Sequence, residues 1–192
     1  PEFEIKEVAP LFGNLPEPKT SENIQPMEQF DQGWGTILYR TTLPAVTSGT
    51  TLLITEVHDW AQVYANGKLL GRLDRRRGEN SLKLPALAAG TQLDILIEAM
   101  GRVNFDKAIH DRKGITEKVE LLNESSTQEL KNWQVYSFPV DYPFVKEKKY
   151  APGKKLDGPA YYRATFNLEE AGDVFLDMQT WGKGMVWVNG KA

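Results

Sequence analysis

Two stretches of this 192-residue chain spell nearly the same words. Val63-Tyr64-Ala65-Asn66-Gly67-Lys68 returns as Val186-Trp187-Val188-Asn189-Gly190-Lys191, and Tyr39-Arg40 returns as Tyr162-Arg163. Both matches share one ungapped offset of 123 residues (66 to 189, 39 to 162). Asn-Gly inside an alternating run calls for a two-residue hairpin, because a type I′ turn needs positive φ at both central positions and these two residues adopt it at low cost. A period this long is no solenoid unit, so the sequence predicts a repeat of a whole β-rich domain.

Strand patterns fill the rest of the first copy, near 3–8, 36–43, 51–57, 61–66, 69–73, 81–84, 92–99 and 115–122. The clearest is Gln92–Glu98, where Leu93, Ile95 and Ile97 share one face and Asp94 and Glu98 the other, the pattern of a half-buried strand. Turn signals at Ser48-Gly49, Asn66-Gly67, Gly78-Glu79-Asn80 and Ala89-Gly90 separate the runs. Short strands without a long amphipathic helix predict an all-β jelly-roll sandwich. The polar run Asn123–Gln128 marks a boundary. Residues 1–129 are expected to form the first jelly roll and 130–192 the N-terminal part of a second. Strands are expected there near 133–138, 160–167, 173–180 and 184–189, with a Lys-, Pro- and Gly-rich loop from Lys146 to Gly158. The second copy lacks a counterpart of 69–122, and both chain ends read as mid-element, so a piece of a longer protein is expected.

The net charge of −3 argues against nucleic acid as a main partner, and no apolar run approaches the ~18 residues of a membrane helix. With no cysteine, disulfides and thiol chemistry are excluded, while the compartment stays open.

The run Gln32-Gly33-Trp34-Gly35-Thr36-Ile37-Leu38-Tyr39-Arg40-Thr41 resembles the first β-domain of glycoside hydrolase family 35 β-galactosidases. So do Val63–Lys68 with Asp74-Arg75, and Met100-Gly101-Arg102-Val103-Asn104-Phe105 followed by Asp111-Arg112-Lys113-Gly114-Ile115. Trp133-Gln134-Val135-Tyr136 and Trp181–Lys191 are similar to that family's last domain. The resemblance implies a galactose-binding-domain-like jelly roll, a truncated second one, and a catalytic (β/α)₈ barrel of the same protein as partner. That barrel would carry the acid/base and nucleophile glutamates of a retaining hydrolysis of terminal β-galactosides. An extracytoplasmic setting (periplasmic, secreted or lysosomal) is also implied; no cofactor is expected, and a structural calcium held by loop oxygens, which jelly rolls of this kind sometimes bind, stays open although no dense Asp/Asn run demands it.

No catalytic residue is expected in the chain itself. Asp94 and Glu98 lie four residues apart on one strand, roughly 13 Å along the backbone, whereas glycosidase carboxyl pairs stand ~5–9.5 Å apart. Glu169 and Glu170 are adjacent and point to opposite faces if extended. The dipeptides His58-Asp59 and His110-Asp111 offer too few ligands for zinc and read as loop polar residues. Arg75-Arg76-Arg77, beside Asp74 and Glu79, reads as a solvated loop, with one arginine available to pair at a domain interface. The five tryptophans read mainly as packing, with Tyr64 and Trp187 on the outer side of their hairpins.

The expected contact segment is Gly101–Phe105, in a loop at the end of the strongest strand, where binding residues tend to sit. Arg102, Asn104 and Phe105, with Trp34, are the candidate contacts to carbohydrate or to the barrel, at the rim where a β-galactoside would enter. The alternative is that Arg102 and Asn104 merely hold the loop together. For the chain as a whole, the alternatives are a free-standing carbohydrate-binding module and a structural interaction domain.

Overall fold

In the computed structural model, which describes residues 3–105, 107–170 and 172–192, Asn66 and Gly67 adopt φ of 47° and 78°. They join Trp60–Ala65 to Lys68–Asp74, with Ala65 opposite Lys68. Asn189 and Gly190 take the same conformation, φ 51° and 84°, and Val188 and Lys191 close the turn as an antiparallel bridge.

The strands are β1 (Glu7–Pro10), β2 (Lys19–Ser21), β3 (Thr36–Thr42), β4 (Thr51–Ile54), β5 (Val57–His58), β6 (Trp60–Ala65), β7 (Lys68–Asp74), β8 (Ser81–Lys83), β9 (Gln92–Glu98), β10 (Gly114–Ile115), β11 (Val119–Leu122), β12 (Thr127–Glu129), β13 (Trp133–Phe138), β14 (Ala151–Pro152) and β15 (Ala160–Arg163). One short helix, α1 (Tyr142–Lys146), begins where the Asp141 carboxylate accepts the Phe144 amide at 2.9 Å. The chain divides into two compact units, Pro16–Pro139 and Pro1–Leu15 with Val140–Ala192.

The unit Pro16–Pro139 is an all-β sandwich. Its larger sheet has the order β2-β13-β3-β9-β6-β7 and its smaller one β12-β11-β4-β8. Alternation decides what each strand buries. Ile37 and Tyr39 of β3, Leu93, Ile95 and Ile97 of β9, Ala61 and Val63 of β6, and Trp133 and Val135 of β13 point inward. They meet Leu52 and Ile54 of β4 and Val119 and Leu121 of β11 in one core. Each fully buried aliphatic side chain of this kind contributes about 1.5–3 kcal/mol. Tyr39 is the polar exception in this core: its hydroxyl donates to the Gln25 carbonyl at 2.9 Å, and its ring meets Phe30 and Trp133 edge-on.

Strand Trp133–Phe138, which the sequence groups with the later part of the chain, pairs with β3 in this larger sheet, Gln134–Phe138 lying opposite Thr36–Arg40. Asp94 also departs from its expected solvent face. It is fully buried on the sheet's outer side, where Arg40 grips it through Nε (2.6 Å) and Nη2 (3.2 Å). Tyr64 shares that outer side with Gln62, to which its hydroxyl donates.

In the other unit, β1 lies between β14 and β15. Arg163 meets Glu7 across β15 and β1 by two hydrogen bonds of 2.7 Å, and Phe3 stacks on Phe166 at 4.9 Å. The strand expected near 3–8 is found slightly later, at Glu7–Pro10. Those expected over 173–180 and 184–189 are not formed among the described residues apart from the Val188–Lys191 bridge. A strand exists only where a neighbour accepts its ladder, and here Val174, Phe175, Leu176, Val186 and Val188 are exposed instead.

Candidate functional site

Where β9 leaves the core, the chain enters a long loop that returns at β10. Gly114, the first residue of β10, has φ 87°, and a Cβ there would collide with the Tyr39 hydroxyl and press within 3.2 Å of the Met27 amide. Only glycine fits this close approach. The tight entry draws the preceding residue inward: Lys113 is 1% exposed. Its backbone amide donates to Glu28 Oε1 at 3.0 Å, and its carbonyl accepts the Met27 amide at 2.8 Å.

The Lys113 ammonium donates to Asp59 Oδ2 and Asp111 Oδ2, each at 2.7 Å, and to the Gly101 carbonyl at 3.2 Å. Arg75 Nη1 bridges the opposite oxygens of the same carboxylates, Asp59 Oδ1 at 2.9 Å and Asp111 Oδ1 at 2.7 Å. Asp59 also accepts the Met100 amide at 2.7 Å, and Asp111 the Val103 amide at 3.2 Å. Two cations and two anions thus cancel, with Lys113 and both carboxylates buried and Arg75 reaching in from the exposed side. That balance is required, because each unpaired buried ion costs several kcal/mol. Burial pushes both carboxyls up, but the hydrogen bonds from Lys113, Arg75 and the backbone outweigh it. Asp59 is held below the usual carboxylate range, and Asp111 far below it. His58 closes one side, its Nδ1 2.5 Å from the Arg112 carbonyl and its Nε2 2.9 Å from Glu56 Oε2.

This cluster corrects one expectation and leaves another standing. His58, Asp59 and Asp111 are buried rather than ordinary loop surface, while Arg75, Arg76 and Arg77 are exposed as expected of a solvated loop, and Arg75 reaches in to the two carboxylates. Their position beneath the fold is invisible in sequence, because their partners come from loops up to 54 residues apart. The available signal was the equal supply of acids and bases at the ends of strong strands. Among the described residues no three His, Cys, Asp or Glu side chains converge as a metal site.

Above the cluster stand the sequence-predicted contacts. Arg102 donates to the Asp111 carbonyl (2.8 Å) and the Gly33 carbonyl (2.6 Å), and pairs with Glu28 at 2.6 Å. It therefore ties the 101–105 segment to the loop carrying Trp34. That second loop is fixed by Gln32, whose amide nitrogen lies 2.8–3.0 Å from the carbonyls of Trp34, Thr36 and Phe138. The Ala99 amide reaches the Gly35 carbonyl at 3.0 Å. On this braced base Phe105 is 83% and Trp34 49% exposed, and Val103, Asn104 and Ile109 of the same loop as Phe105 are exposed as well. The arrangement offers contact surface rather than acid–base chemistry, since Asp59 and Asp111 are saturated by fixed cations.

Residues 25–139 match the family model described as β-galactosidase, first all-beta domain, and residues 159–192 that described as β-galactosidase, galactose-binding domain. A β-galactosidase of Xanthomonas manihotis is 37% identical over 99% of this chain and 31% of its own length. β-Galactosidase-1-like protein 3 of Mus musculus is 31% identical over 100% of this chain and 30% of its own. The chain thus spans under a third of these relatives. Among solved structures, a GH2 β-galacturonidase of Eisenbergiella tayi aligns at TM-score 0.37 and 13% identity, over 66% of this chain and 26% of that one.

Proposed function

The chain belongs to the β-galactosidase family, where it corresponds to non-catalytic β-domains, and from that premise we propose that it buttresses the catalytic (β/α)₈ barrel of an exo-acting β-galactosidase and shapes the rim of its galactose pocket. The parent would hydrolyse terminal β-galactosides with retention, through glutamates outside this chain, and the chain alone would be inactive. The observation that carries the reading is the pairing of exposed aromatic tips, Phe105 and Trp34, with a base locked by buried charge. A rim contact must present apolar surface to a sugar ring or to a neighbouring domain while holding its position. Arg102 acts as the brace between the two tips, and Asn104 supplies a polar group beside them.

The test is kinetic. In the intact enzyme, Phe105→Ala raises KM for an aryl β-galactoside while leaving the melting temperature near wild type, because a lost rim contact weakens substrate use without opening the core. Normal kinetics with a large fall in melting temperature makes the segment structural glue and overturns the reading. The purified chain is expected to give no turnover above buffer.

A further inference from the structure

A second polar surface lies on the outer side of the larger sheet, built from residues with no part in the loop platform. Arg40, Thr41 and Thr42 at the end of β3, Gln92 at the start of β9, Gln134 on β13, and Gly90 and Asn132 in the flanking loops line an open pocket of ≈ 370 Å³. These strands are neighbours. Arg40 stands directly between Asp94 and Gln134, and Thr42 lies opposite Gln92.

The polar groups are oriented from beneath. Asp94, 0% exposed, accepts Arg40 Nε and Nη2 and also Gln92 Nε2, the last at 2.7 Å. A carboxylate only accepts, so the Gln92 NH₂ is committed and its carbonyl is the acceptor end. On the other flank Tyr136 donates to Gln134 Oε1 at 3.2 Å, which leaves the Gln134 NH₂ as the donor end. The Arg40 guanidinium lies between them, 5.2 Å over the Tyr136 ring. The pocket therefore presents the Gln92 carbonyl as an acceptor, those guanidinium N–H groups of Arg40 that are not spent on Asp94 as donors, and the Gln134 amide as a second donor. Its one charge is cancelled by Asp94, and every other lining residue is neutral.

We propose that this pocket binds a neutral saccharide unit, a site separate from the Phe105 and Trp34 platform and independent of the rim reading. Vicinal hydroxyls each donate and accept, and so match alternating amide and guanidinium groups fixed in advance. An anion would find no uncompensated charge. The volume falls at the small end of ligand sites, of order 300–1,000 Å³, room for one or two sugar rings. The repeat supplies an internal contrast: Arg163 is gripped by Glu7 and lies 4.4 Å over the Tyr150 ring in the same manner. An ion pair on an aromatic ring is thus a recurring structural part, and the flanking Gln92, Gln134 and Asn132 are what turn the Arg40 copy into a site.

The test is an NMR titration of the ¹⁵N-labelled chain with methyl β-D-galactopyranoside, lactose and, separately, inorganic phosphate. Saturable shifts are expected at the side-chain amides of Gln92, Gln134 and Asn132 with either sugar. Gln92→Ala and Gln134→Ala should each weaken binding about tenfold, and Phe105→Ala should leave it unchanged. Gln134→Glu, which keeps the length but replaces donor with acceptor, provides a second variant should the alanine form lose its native spectrum, and it should weaken binding as well. Absence of shifts up to the solubility of the sugars, shifts confined to 101–105, or an equal response to phosphate would each overturn the proposal.

Discussion

The Tyr-Arg and Asn-Gly words occur twice, and the two units treat them differently. In Pro16–Pro139, Tyr39 is buried among Phe30 and Trp133, Arg40 grips a fully buried aspartate, and the Asn66-Gly67 turn leads into the seven-residue strand β7. In the other unit Tyr162 is half-buried, Arg163 grips a partly exposed Glu7, and the Asn189-Gly190 turn joins Val188 to Lys191 with both flanking valines exposed. The local geometry is nearly the same in both copies. Turn conformation and cross-strand ion pairing are therefore properties of the words themselves, while burial is conferred by the strands around them. An energetic difference follows, because a buried pair is costly to break and an exposed one is nearly silent.

The largest effect should come from the buried charge cluster, which among the described residues only the sandwich unit possesses. Lys113→Met leaves Asp59 and Asp111 sharing Arg75 alone, and is expected to destabilise the sandwich by about 3–5 kcal/mol, read as a fall in the urea midpoint at neutral pH. A midpoint within error of wild type would mean that the cluster is solvated, and the contrast between the units would lose its main support.

The twin arginines give the most direct comparison. Arg40→Met strands a buried carboxylate and should cost about 3 kcal/mol, whereas Arg163→Met should leave the melting of Pro16–Pro139 unmoved. Equal losses would show that both pairs are equally desolvated. Hydrogen exchange sharpens the same point: amides of β3, β6 and β9 are expected to exchange only by global opening, and those of β15 by a cheaper local one.

Acid should act next. The carboxyls of Asp59, Asp74 and Asp111 titrate lower in the fold than in an open chain, Asp74 at about 2. Their stabilisation is therefore complete above the ordinary carboxylate range and is lost as pH falls below ~4 through the folded values. Unfolding should accelerate between about pH 4 and 2. The Glu7 carboxyl is lowered too, mainly by its hydrogen bonds from Arg163, but that exposed pair should be masked by ~0.5 M salt while the buried cluster persists. Loss of the whole acid sensitivity in salt would place the sandwich carboxylates at the surface.

The smallest effect separates the two turns. Asn66→Ala forces an ordinary residue into positive φ, at about 1–2 kcal/mol, and should lower the sandwich midpoint by that amount. Asn189→Ala should not change it. An equal fall for both would mean that the second hairpin is as tightly integrated as the first.

Much of the sandwich was legible because its rules are local. The alternation of Leu93, Ile95 and Ile97 declared a buried face, and Asn66-Gly67 declared the hairpin. Within the loop platform, the segment Gly101–Phe105 could be picked out by its place after β9, but the brace from Arg102 to Gly33 spans 69 residues and has no sequence signature. Asp94 was misplaced for a related reason: a carboxylate on an alternating strand reads as solvent-facing until the partner strand delivers Arg40. The runs around 173–180 and 184–189 have strand composition yet form no ladder among the described residues, since composition cannot supply a neighbour.

By itself the sequence determined the β character of the chain, its two hairpin turns, the inward faces of its strands and its family. These rest on backbone sterics and on a side-chain period of two, which act within a few residues. The tertiary structure alone decided that Trp133–Phe138 joins the larger sheet, that Lys113 is buried between two aspartates, and that Gln92, Arg40 and Gln134 share one pocket. The reason is that charge burial and pocket geometry depend on which distant segments meet, and the low-dielectric interior makes those meetings strong only once every partner is in place.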